Sequence, residues 1–74
     1  MRLILVDDEP RILSGLSRAL RSSGSRDWDV VTATSGDDAL AQLTDAPADV
    51  VLSDVNMPGM DGPTLLAEVR RRWP

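Results

Sequence analysis

Val50-Val51-Leu52-Ser53-Asp54-Val55-Asn56-Met57-Pro58-Gly59-Met60-Asp61-Gly62-Pro63 is the stretch whose reading decides the fold. Val50, Val51 and Leu52 form an apolar, β-branched-rich run of strand length, and Pro58, Gly59, Gly62 and Pro63 punctuate a turn after it. The strand therefore ends on an acid. In parallel α/β sheets ligands bind outside the carboxyl ends of the strands, so Asp54 is the candidate reactive residue.

The start of the chain repeats this arrangement. Leu3, Ile4, Leu5 and Val6 make a continuous apolar strand, the kind buried on both faces of a parallel sheet, and it too ends on acids, Asp7-Asp8-Glu9. Pro10 suits a first helical turn. Ile12, Leu13, Leu16 and Leu20 then recur at helical spacing, with Arg11, Ser14, Ser17, Arg18 and Arg21 on the other side, which predicts an amphipathic helix of about three turns.

The polar run Ser22-Ser23-Gly24-Ser25-Arg26-Asp27 stops that helix, and Trp28 to Thr34 reads as a second strand whose polar ends suit a sheet edge. Ser35 is a helix cap, with Asp37 and Asp38 in the first turn, Ala39, Leu40 and Leu43 facing inward, and Pro47 beyond the end. After the strand into Asp54, a third helix begins at Asp61 or Gly62 with Pro63 in its first turn. Leu65, Leu66, Val69 and Trp73 form its expected buried stripe. Arg70-Arg71-Arg72 would complement the negative end of this helix.

Composition sets further bounds. Seventy-four residues allow one small domain, which buries only about 60 % of the surface its unfolded chain exposes. There is no cysteine to crosslink it and no histidine to help hold a structural zinc, so stability must come from packing or from partners. No apolar run approaches the roughly 20 residues that span a bilayer, and Met1 to Asp7 is too short and too soon acidic for a signal peptide. A soluble, cytoplasmic protein without membrane contact is the expectation. Twelve acids against eight basic residues give a formal charge of -4, which argues against a broad basic face for nucleic acid.

The βαβαβα pattern and the right-handed crossover rule predict a three-stranded parallel α/β sheet with helices on its faces. A strand order 2-1-3, as in the flavodoxin-like wind, places the first and third strands side by side and brings Asp7, Asp8 and Asp54 together. Three crowded carboxylates repel one another, and a hard divalent cation such as Mg²⁺, which favours oxygen ligands, relieves that repulsion.

These residues resemble the receiver domain of two-component response regulators. The resemblance is carried by Leu5-Val6-Asp7-Asp8-Glu9-Pro10, by Ser35-Gly36 followed by Ala39-Leu40, and by Asp54-Val55-Asn56-Met57-Pro58-Gly59-Met60-Asp61-Gly62. It implies that Asp54 is the phosphoacceptor, taking a phosphoryl group from a phosphohistidine of a sensor histidine kinase. It also implies a Mg²⁺ site in which Asp8 and Asp54 offer side-chain oxygens, Asn56 its backbone carbonyl, and Asp7 acts through bound water. Such a domain is a signalling module that assists only its own phosphorylation, not an enzyme acting on a separate substrate.

The family's fold has five βα units, and residues 1–74 match its first three, so the expectation is a partial flavodoxin-like sheet lacking the last two units. The Ser or Thr that ends the fourth strand and the Lys that ends the fifth have no counterpart here, and switching is expected to be impaired. The third strand then becomes an open apolar edge, and self-association through it or through uncovered helix faces is expected. The alternative function is accordingly a structural or self-associating interaction fragment with the receiver fold and no phosphotransfer. A metal-dependent phosphatase with an aspartyl-phosphate intermediate is disfavoured, because the second acid such enzymes place two residues after the nucleophile is here Asn56.

Overall fold

The computed structural model describes residues 1–22 and 28–73. Its elements run in the order expected from the apolar periodicity: strand β1 (Arg2–Val6), helix α1 (Pro10–Ser22), strand β2 (Asp29–Ala33), helix α2 (Gly36–Asp45), strand β3 (Val50–Ser53) and helix α3 (Gly62–Arg72). Most of the connection between α1 and β2 lies outside the described residues. The three strands form one parallel sheet in the order β2-β1-β3. Parallel pairing requires a crossover between successive strands, and α1 and α2 supply them.

β1 occupies the centre because its side chains tolerate burial on both faces. Successive strand residues point to opposite sides. Ile4 and Val6 join Ala33, Ala39, Leu40, Leu43, Met57 and Leu65 in one apolar cluster, while Leu3 and Leu5 join Leu13 in another. Trp28 packs at the margin of the second cluster, as a packing residue should. Ile4 and Leu65 have no exposed surface. They are the side chains that α3 and the sheet centre share.

The helix starts follow local chemistry. Ser35 caps α2 by accepting, at its Oγ, the Asp38 amide at 3.1 Å. Asp61 caps α3 by accepting the Thr64 amide at 2.8 Å. The Thr64 hydroxyl, and then this amide, hold the Asp61 carboxyl below the ordinary range. At the far end of α3, the Glu68 carboxylate pairs with Arg71 and accepts Arg72 Nε at 2.9 Å. Arg71 first and Arg72 second bring the Glu68 carboxyl down to about 2. All these groups are exposed, so this fork contributes little to stability.

The amphipathic stripes are less buried than their periodicity predicts. Only Leu13 of the α1 stripe is fully buried, whereas Ile12 and Leu16 are exposed. In α3, Leu65 is buried and Val69 partly so, but Leu66 and Trp73 are exposed. Leu52 in β3 is 52 % exposed although it reads as core. The cause is sheet width: β3 is an edge strand, and side chains directed past it meet no further element among the described residues. Two apolar grooves result. One of about 300 Å³ lies between Leu5, Leu13, Leu16, Leu20 and Leu52, and one of about 350 Å³ lies between Leu43, Val51, Leu66, Val69 and Trp73.

Truncating the central side chain should therefore be severe. Ile4→Ala is expected to cost about 2–5 kcal/mol, a large part of what a domain this small has, and to shift the urea midpoint read by far-UV circular dichroism accordingly. Leu52→Ala should stay within about 0.5 kcal/mol of the parent. Equal losses at the two positions would show that β1 is not the anchor of the fold.

Candidate metal centre and phosphoacceptor site

The register of β1 on β3 builds the site. Val6 pairs with Ser53, and the hydrogen-bond ladder runs one residue further on each strand. Asp54 donates its amide to Val6 O at 2.9 Å, and Asp7 donates its amide to Ala33 O at 3.1 Å. The first residue after each strand is thus an acid held by a backbone bond to its neighbour. Residues 47 positions apart in sequence become neighbours in space.

Asp7, Asp8 and Asp54 each place a carboxylate oxygen within 4.8 Å of the others. The environments differ. Asp7 is only 8 % exposed, Asp54 is half-buried and Asp8 is exposed. Two of the carboxylates are fixed by amides: Asp7 Oδ1 accepts from Glu9 N–H at 2.9 Å, and Asp54 Oδ1 accepts from Val55 N–H at 2.8 Å. These short-range bonds leave the remaining oxygens free to face the shared space.

The donor set fits a hard cation. An octahedral ion with ligands at roughly 2.1 Å sets neighbouring oxygens about 3 Å apart and opposite ones about 4.2 Å apart, close to the span of this cluster. All three candidate ligands are carboxylates, and the chain contains no cysteine or histidine that would favour a softer metal. Asn56, the fourth expected ligand, is exposed in the loop two residues beyond Asp54. Ser53, on the strand face opposite in parity, donates its hydroxyl to Asp54 O at 3.0 Å and points no oxygen of its own into the cluster by that bond.

Over residues 3–74 the chain matches the family model of the response regulator receiver domain. The chain belongs to that receiver family. It is 42 % identical over 72 residues to the hydrogenase transcriptional regulatory protein HoxA of Cupriavidus necator, covering 97 % of this chain and 14 % of HoxA. It is 45 % identical over 74 residues to the sensor kinase CckA of Brucella abortus, covering 97 % of this chain and 8 % of CckA. Among solved structures, the response regulator TrrA of Thermotoga maritima, in complex with Mg²⁺-BeF, superposes with a TM-score of 0.86 at 33 % identity, over 97 % of this chain and 60 % of TrrA.

This receiver thus spans a small share of the curated relatives and little more than half of the solved one. Receivers are signalling domains of two-component systems, and they interact with sensor histidine kinases. The 2-1-3 parallel sheet agrees with the partial flavodoxin-like receiver fold expected from the sequence.

What sequence pattern missed at the site is its main-chain scaffolding. The Glu9 and Val55 amides carry no side-chain signature, and Gly62 reads only as turn punctuation although it lies against the Asp54 carbonyl. Each pair of charges about 4 Å apart costs roughly 1 kcal/mol even in a water-like medium. With divalent cations chelated and at low ionic strength, Asp8→Asn is therefore expected to stabilise the receiver by roughly 1 kcal/mol, read as a higher urea midpoint. A lower midpoint would mean that the three carboxylates do not oppose one another.

Proposed function

We propose that this receiver accepts a phosphoryl group on Asp54 from a phosphohistidine of a sensor histidine kinase, with Mg²⁺ as the required ion. The observation that carries this reading is the convergence of Asp7, Asp8 and Asp54 at the carboxyl edge of the sheet. Aspartate is ionised at neutral pH, so the Asp54 carboxylate is available as a nucleophile without a separate base. Its oxygen attacks phosphorus, the P–N bond of the phosphohistidine breaks, and the departing imidazole keeps the electron pair and takes a proton from solvent.

Asp8 and Asp54 would hold the ion through side-chain oxygens, Asn56 through its backbone carbonyl and Asp7 through bound water. The ion supplies neutralisation of the phosphoryl oxygens, the main requirement of phosphoryl transfer beside positioning. Positioning falls to the chain: the Val55 amide sets the rotation of the Asp54 carboxylate, and the Glu9 amide sets that of Asp7. In this reading residues 1–74 are the N-terminal part of a single receiver domain, acting in the cytoplasm and assisting only its own phosphorylation.

A second reading rests on β3. Leu52 and Val55 are 52 % and 62 % exposed at an open strand edge, and pairing of that edge with a second copy would cover them. The chain would then serve as an interaction fragment without phosphotransfer.

Two measurements separate these readings. Incubation with Mg²⁺ and a small phosphodonor should add the mass of one phosphoryl group, and Asp54→Ala should abolish the gain; Mg²⁺ binding without any gain would sink the phosphoacceptor reading. Sedimentation of the chain should show concentration-dependent association if the β3 edge pairs, and a folded monomer at high concentration rules that pairing out.

A further inference from the structure

Gly62 opens α3, and its backbone conformation does not call for glycine. Among the described residues the positive φ belongs to Gly59, at 81°, where the loop after β3 turns. What excludes a side chain at 62 is space. A Cβ there would stand 2.3 Å from the Asp54 carbonyl oxygen, 3.1 Å from the Asp54 carbonyl carbon and 3.2 Å from Val55 Cα. All three are backbone atoms, so no rotamer change relieves the clash.

The same residue is tethered to the peptide it touches, because Gly62 donates its amide to Val55 O at 3.0 Å. The opposite side of that peptide unit carries the Val55 amide that orients Asp54 Oδ1 at 2.8 Å. We propose that Gly62 is a positioning residue for Asp54: its lack of a side chain lets the start of α3 close on the Asp54–Val55 peptide and aims the Asp54 carboxylate at Asp7 and Asp8. It touches only main chain and none of the reacting atoms. The inference deepens the metal and phosphoacceptor reading and rests on it for its consequence, though not for its geometry.

Gly15 provides the internal comparison. It is exposed on α1 with nothing within 4 Å of an added Cβ, so Gly15→Ala tests a glycine-to-alanine change without the close approach.

The experiment compares the full chain with its Gly62→Ala and Gly15→Ala variants by nuclear magnetic resonance and by Mg²⁺ titration. Gly62→Ala should move the Asp54 carboxyl ¹³C resonance in the metal-free protein while the methyl resonances of Ile4 and Leu65 stay in place. It should also weaken Mg²⁺ binding on the order of tenfold, as loss of groups that orient ligands does. Gly15→Ala should do neither. An unmoved Asp54 resonance together with Mg²⁺ affinity within about twofold of the parent overturns the inference. If the parent takes no Mg²⁺ but Gly62→Ala still moves the Asp54 resonance, positioning stands and the metal reading falls.

Should Gly62→Ala fail to fold, amide exchange in the parent decides. Coupling between two sites is reciprocal, so Mg²⁺ should slow exchange of the Gly62 amide more than exchange in α1. Equal slowing at both places overturns the proposal.

Discussion

Four consecutive apolar side chains, Leu3 to Val6, alternate between two faces of one strand and can leave water only if both faces are covered. That requirement puts β1 between β2 and β3, with Leu13 of α1 packed on one side and α2 and α3 packed on the other. The hydrophobic gain of burying such side chains is roughly 1.5–3 kcal/mol each, which in a chain of this size outweighs any other local preference. Nothing else in the sequence is apolar enough over consecutive positions to replace β1 at the centre.

The acid cluster is a by-product of that packing. Once β1 and β3 pair in parallel, the residue after each strand must emerge at the same edge, and both are aspartates. Bringing like charges together opposes folding, while burial of Ile4, Val6 and Leu65 beneath the site favours it. The site therefore holds electrostatic strain that a cation relieves, and it is kept in shape by main-chain groups: the Glu9 and Val55 amides and the close approach of Gly62.

Both apolar stripes show the limit of pattern reading. Periodicity identifies which face of a helix is apolar, but burial depends on whether another element stands opposite that face. Leu65 meets β1 and is fully buried; Leu66, next along the same helix, points past β3 and is 43 % exposed. Trp73, Leu16 and Leu52 differ from their expected burial for the same reason. The β2 edge was easier to read, because its polar ends state in sequence what the sheet order later shows.

The sequence by itself determined the six elements, their helix caps at Ser35 and Asp61, the central strand and the identity of the three acids, because each depends on short-range periodicity or on a side chain bonding within a few residues. Tertiary structure alone decided how close Asp54 comes to Asp7 and Asp8, which half of each apolar stripe is covered, and why position 62 admits no side chain. Those properties are distances between segments remote in sequence or between main-chain atoms, and no residue type encodes them until β3 lies against β1.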